Sequence, residues 1–135
     1  MKINEEIKKT LLSKAKGIIN NSYSPYSKFK VAAALICEDN SIFTGVNVEN
    51  SSYGLTNCAE RSAVFSAVSS GHKDIAGILI LTEEGEGFPC GACRQVLAEF
   101  NPDMAVFIAG LDGIKYEKTV SELLPLGFSG DFLKK

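Results

Sequence analysis

The sequence predicts an α/β protein, a three-layer α/β/α sandwich on a mixed five-stranded sheet. Three observations carry this expectation. Five short runs read as strands, and helical periodicity separates several of them. The first two strands are joined only by Glu38-Asp39-Asn40-Ser41, which makes them a hairpin and keeps the sheet from being purely parallel. The runs at 29–37 and 75–82 are apolar almost throughout, the pattern of strands covered on both faces. A length of 135 residues fits a single domain, taken as 1–135.

The first helix opens at Asn4, which can cap it, with Glu5 and Glu6 at the positive end of its dipole. Ile7, Leu11, Leu12, Ala15, Ile18 and Ile19 recur at helical spacing, and the helix should end before Asn20. A turn-rich segment, 22–27, holds Pro25 and leads into the strand at 29–37; the hairpin partner returns over 42–48. Residues 50–57 form a polar loop. A helix follows from about 58 to 70, with Ala63, Val64, Ala67 and Val68 on its apolar face and Gly71 as its stop. The third strand spans 75–82. After the loop 83–89, a helix begins near Cys90 and carries Val96, Leu97 and Phe100. Strands at 104–109 and 114–118 flank the turn Leu111-Asp112-Gly113, and a last helical turn or two at 119–124 is stopped by Pro125.

Hydrophobic residues make up 45%, enough for a buried core, and the net charge is -2. Such a balance has no basic footprint for nucleic acid. Lys8, Lys9, Lys14 and Lys16 lie on a helix behind Glu5 and Glu6, where a solvated face is the plain reading. No apolar run approaches the roughly 20 residues that span a membrane, and the N-terminus lacks a signal-peptide core. The expected location is therefore the cytoplasm, where thiols stay reduced and clustered cysteines are more often metal ligands than disulfides.

Three of the four cysteines form one pattern. Cys58-Ala59-Glu60 is followed across a gap by Pro89-Cys90-Gly91-Ala92-Cys93. Three soft ligands suit Zn²⁺ with a fourth position open to water, the arrangement of catalytic rather than structural zinc. A carboxylate beside the first ligand supplies a base for that water. Cys90 and Cys93, three apart at a helix start, place their sulfurs on one side of a turn. Free N–H groups at two helix N-termini, helped by Arg61, would draw charge off the sulfurs. The competing reading makes Cys58 a buried hydrophobe and Cys90-x-x-Cys93 a redox pair. Glu60 alone could be an ordinary first-turn acid. Cys37 falls in an apolar strand as core packing, and His72 follows Gly71 in a polar turn as a surface residue.

At these residues the chain resembles the cytidine deaminase family, in its small-subunit form with three cysteine ligands. Tyr26-Ser27-Lys28-Phe29, Gly45-Val46-Asn47-Val48-Glu49-Asn50, Cys58-Ala59-Glu60-Arg61, Pro89-Cys90-Gly91-Ala92-Cys93-Arg94-Gln95 and Leu123-Leu124-Pro125 stand in family order across nearly the whole chain. The resemblance implies that Cys58, Cys90 and Cys93 hold one Zn²⁺ per subunit. It implies that Glu60 takes a proton from water, that the water oxygen attacks C4 of cytosine, and that Glu60 passes protons to N3 and then to the departing amine, as in zinc deaminases generally. Asn47 and Glu49 would hold the ribose 3′-hydroxyl, and Arg61 would hydrogen-bond ligand sulfurs. Phe29 would pack on the pyrimidine, or else be a core residue. Tyr53 and Phe128 match positions that reach a neighbouring subunit's pocket in a homotetramer with composite sites; tail packing is the plainer reading of Phe128. Ser51 departs from the small apolar residue often found after Glu-Asn.

The function expected is hydrolytic deamination of free cytidine and 2′-deoxycytidine in pyrimidine salvage. A deaminase for a nucleoside analogue such as blasticidin S is the nearest alternative, and the Asn47-x-Glu49-Asn50 and Cys58-Ala59-Glu60-Arg61 blocks favour ordinary nucleosides. Polynucleotide editing fits poorly with weak net acidity and a grip on a free 3′-hydroxyl. A non-catalytic zinc scaffold leaves Glu60 without a purpose.

Overall fold

The computed structural model describes residues 1–133. Its strands are β1 (Val31–Cys37), β2 (Ile42–Val46), β3 (Ile75–Thr82), β4 (Ala105–Gly110) and β5 (Gly113–Thr119). They form one sheet in the order β2-β1-β3-β4-β5. Only β3 and β4 run parallel; β1 is antiparallel to both β2 and β3, and β4 to β5. The helices are α1 (Glu5–Ile18), α2 (Ala59–Ser69), α3 (Gly91–Phe100) and the short α4 (Val120–Leu123).

Period-two alternation along the covered strands divides the core between the two faces of the sheet. Ala32, Ala34 and Ile36 of β1 join Leu79, Leu81 and Phe107 against Leu11 and Ala15 of α1. Ala33 and Leu35 join Ile78, Ile80, Val106 and Ile108 against Ala63, Val64 and Ala67 of α2, Leu97 of α3 and Val120 of α4. Helices on both faces of a mixed five-stranded sheet make the expected three-layer sandwich. Cys37 is buried in the second of these clusters.

Local chemistry sets the element ends. Asn4 caps α1, its Oδ1 accepting the Ile7 N–H at 2.9 Å. Thr119 and Glu122 close a capping box on α4. In the hairpin turn Asn40 takes a left-handed φ of 73°, which asparagine tolerates.

Three departures from the sequence reading matter for the site. The first strand begins at Val31 rather than residue 29, because Lys28 takes a left-handed φ of 62° and the chain turns there. The second ends at Val46 rather than residue 48; Val48 makes only isolated bridges, to Tyr23 and Asn57. The loop at 50–57 contains a single 3₁₀ turn, Tyr53–Leu55.

Pairing then brings distant segments together. Val31 lies opposite Thr82, so the Phe29 segment reaches the end of β3, from which the loop to Cys90 departs. Ala32 lies opposite Val46, which sets Asn47 beside the same corner. Ligand sites in α/β sheets sit at such carboxyl ends of strands. No helix among the described residues is long and apolar enough to cross a membrane.

Candidate metal centre and active site

The two cysteine segments are helix caps. Cys58 is the N-cap of α2, and its carbonyl accepts the Ser62 N–H at 3.0 Å. Cys90 is the N-cap of α3, and its own sulfur accepts the Cys93 N–H at 3.4 Å. Each sulfur thus sits where a helix presents unpaired N–H groups and the positive end of its dipole, which favours thiolate.

Glycine lets α2 reach this position. A Cβ on Gly45 of β2 would lie 2.7 Å from Ser62 Cβ and 2.8 Å from the Ala59 carbonyl oxygen. Only a bare backbone allows the first turn of α2 this close to the sheet. On the other side, the Thr82 hydroxyl accepts the Gly85 and Glu86 N–H groups at 3.0 and 3.2 Å, shaping the loop to Cys90. Arg94 braces that loop, donating from Nε to the Pro89 carbonyl and from Nη1 to the Leu123 carbonyl, each at 2.8 Å.

The Sγ atoms of Cys58, Cys90 and Cys93 lie within 4.8 Å of one another. The Cys58–Cys90 separation is 4.0 Å and the Cys90–Cys93 separation 3.4 Å. Tetrahedral zinc with bonds of about 2.3 Å to sulfur requires S···S distances of roughly 3.8 Å, so the three sulfurs fit the ion with little movement. Arg61 Nη2 donates to Cys58 Sγ at 3.3 Å. Its buried Nε has no hydrogen-bond partner among the described residues. His72 belongs elsewhere: its Nε2 meets Asp39 at 3.0 Å and Ser41 at 3.2 Å.

The electrostatics follow from this packing. Hydrogen bonding with the Cys93 thiol and with Arg61 pulls the Cys58 thiol down to about 5, against the cost of burial. Cys93 moves up, because it holds the proton shared with Cys58 and is itself buried beside Glu60. Glu60 is 5% exposed. Burial pushes its carboxyl above the ordinary range, and the Cys58 charge adds to that, while its own backbone N–H, Cys93 and Arg61 oppose it.

A cavity of about 200 Å³ opens over this cluster, lined among others by Cys58, Glu60, Cys90, Phe29, Asn47 and Phe88. Phe29 is therefore no core residue; it is 53% exposed and lines the cavity wall. Asn47 is buried, with Nδ2 donating to the Phe29 carbonyl at 2.8 Å and Oδ1 accepting the Val31 N–H at 3.0 Å. Glu49 accepts the Tyr26 and Ser27 N–H groups at 3.0 and 3.1 Å. Tyr53 and Phe128 do not line the cavity of their own chain. Tyr53 is exposed and meets Tyr26 edge-on, while Phe128 borders a separate depression with Ala98 and Leu124. Phe88 is a lining residue that pattern reading missed. Its only signal is an aromatic side chain directly before Pro89-Cys90, and in the fold its ring packs on Tyr116 of β5 at 5.0 Å.

The family model for the cytidine and deoxycytidylate deaminase zinc-binding region matches residues 5–109, which makes the chain a zinc-binding deaminase. It is 48% identical over 125 residues to a cytidine deaminase of Sporosarcina psychrophila, covering 91% of this chain and 92% of that one. A cytidine deaminase of Halalkalibacterium halodurans is 50% identical over 112 residues, 82% of this chain and 85% of the relative. The crystal structure of cytidine deaminase from Burkholderia pseudomallei superposes with a TM-score of 0.84 at 44% identity, over 89% of this chain and 98% of that one. The chain belongs to the cytidine deaminase family of hydrolases, and zinc is its cofactor.

Proposed function

We propose that this enzyme deaminates free cytidine and 2′-deoxycytidine by hydrolysis, releasing ammonia, in cytoplasmic pyrimidine salvage. One observation carries the residue assignment: a carboxylate buried to 5% exposure lines the same cavity as two of three clustered thiols. Cys58, Cys90 and Cys93 hold the zinc, which supplies Lewis acidity and lowers the pKa of water to about 7.

Glu60 takes a proton from the attacking water as its oxygen bonds to C4, and delivers that proton to N3. The same carboxyl then moves the new hydroxyl's proton to the exocyclic amine. The C4–N4 bond breaks, ammonia leaves, and C4 becomes the carbonyl of uridine. A carboxyl lifted by burial suits such two-way transfer, since a proton carrier works best with its pKa near the working pH. Arg61 offsets the negative charge of the sulfurs. Phe29 packs on the base. Asn47 and Glu49 receive the sugar 3′-hydroxyl: Asn47 keeps a second Nδ2 hydrogen, and the Glu49 carboxylate, already accepting three hydrogen bonds, keeps one lone pair on Oε2.

A pocket of about 200 Å³ is small beside the roughly 300–1,000 Å³ usual for ligand sites. That shortfall supports a homotetramer in which Tyr53 and Phe128 of neighbouring chains complete the walls. Both are more than half exposed, as are Leu55 and Leu126.

Conversion of cytidine followed by ultraviolet absorbance, with and without a chelator and alongside zinc stoichiometry, tests the proposal. Glu60→Gln should retain zinc and lose about 10²–10⁴-fold or more in kcat, the usual weight of a positioned acid–base group. A variant with near-normal turnover would remove Glu60 from the reaction.

A further inference from the structure

The segment that aims Phe29 is held by hydrogen bonds rather than by packing. A residue 53% exposed is poorly fixed by burial, so the direction of its ring depends on the backbone beneath it. That backbone turns at Lys28, whose φ of 62° is uncommon for any residue but glycine, asparagine or aspartate. Such a turn persists only where its surroundings determine it.

Two residues beyond the end of β2 provide the surroundings. Ser27 Oγ donates to the Glu49 carboxylate and accepts the Phe29 N–H at 3.0 Å. The same carboxylate accepts the Tyr26 and Ser27 N–H groups. Asn47 then takes the Phe29 carbonyl and the Val31 N–H. Both polar groups of the Phe29 backbone are thereby fixed, the N–H by Ser27 and the carbonyl by Asn47. A serine hydroxyl bridging to a backbone N–H two residues on is a local turn device. Here it is tied to a carboxylate 22 residues away.

We infer that Ser27 is a positioning residue for the substrate base: its hydroxyl, anchored on Glu49, sets the left-handed turn at Lys28 and so directs the Phe29 ring into the cavity. Glu49 serves two purposes at once, supporting the base wall through Ser27 and presenting its one remaining lone pair to the sugar. This rests on the reading of Phe29 as the base-packing residue, and the experiment separates the two.

KM and kcat for cytidine are measured for Ser27→Ala, Ser27→Thr, Phe29→Ala and the Ser27→Ala/Phe29→Ala pair, with zinc content and thermal unfolding of each. Loss of the Ser27 hydroxyl, and with it both hydrogen bonds, should raise KM roughly 5- to 30-fold for Ser27→Ala, with kcat and zinc content within about twofold of the parent. Threonine, which keeps the hydroxyl, should restore most of the loss. In the Phe29→Ala background the serine change should add less than about 1.5-fold, because its effect travels through the ring. An equal effect in both backgrounds, an unchanged KM for Ser27→Ala while Phe29→Ala raises it, or loss of zinc from Ser27→Ala overturns the inference. An unchanged KM for Phe29→Ala itself overturns the base-packing reading beneath it.

Discussion

Glu60 and Arg61 are adjacent in sequence and act oppositely on one cluster. The carboxyl is driven toward its neutral form by burial, while the guanidinium draws Cys58 toward thiolate. Removing Arg61 leaves three sulfurs to share their negative charge with helix N–H groups alone. Arg61→Gln is expected to weaken zinc binding about 10- to 100-fold, the usual cost of losing an outer-shell partner. Competition with a chromogenic chelator measures this. Metal entry must also displace the proton held by Cys93 above the ordinary thiol range. Apparent zinc affinity should therefore rise with pH through neutrality and fall as the solution is acidified, as titration of metal binding at several pH values will show. The two cysteine segments and the position of Glu60 beside them were legible from the sequence because their spacing is local, two residues apart at α2 and three at α3. Phe88 was not, since a lone aromatic in a loop belongs to no period. The engagement of Asn47 and Glu49 with the Phe29 segment was equally hidden, because the partners lie 16 to 23 residues away.

Among elements, the seating of α2 on β2 decides where Cys58 and Glu60 point. Gly45 sits at that contact against backbone atoms of Ala59 and Ala63, which cannot swing aside as a side chain would. Gly45→Ala should cost about 1–3 kcal/mol by overpacking, read from urea unfolding, and should lower zinc content as the N-terminus of α2 is pushed outward. On the opposite face of the sheet, Asn4→Ala removes the cap of α1 and should cost about 1 kcal/mol with no change in zinc content. That contrast separates a general loss of stability from displacement of the site. Helices and strands were legible where periodicity was long: β3 spans the residues the pattern predicts, 75–82. The ends of β1 and β2 were not, because alternation of apolar with polar residues continues through Phe29-Lys30-Val31 and Val46-Asn47-Val48, although neither Phe29 nor Val48 joins the ladder. Lys28 and Asn47 end the ladder there through backbone conformation and side-chain bonding.

For the whole molecule, metal and fold are linked. The sulfurs come from two helices packed on the same face of the sheet, so an ion bound by all three ties α2 to α3. Zinc binds the folded chain better than the unfolded one, and chelation should lower the thermal midpoint, restored by zinc at a stoichiometry of about one per chain. A midpoint unmoved by chelation, with zinc removed, would contradict this. The assembly proposal belongs at the same scale: light scattering of the purified protein should give four times the 14.5 kDa chain mass. The sequence by itself determined the three-cysteine motif, the neighbouring carboxylate, the hairpin and the two-faced sheet, all consequences of spacing and hydrophobic period within short stretches. Tertiary structure alone decided that the start of β1 and the ends of β2 and β3 meet at one corner, because strand register, unlike period, is set by pairing between residues far apart in the chain.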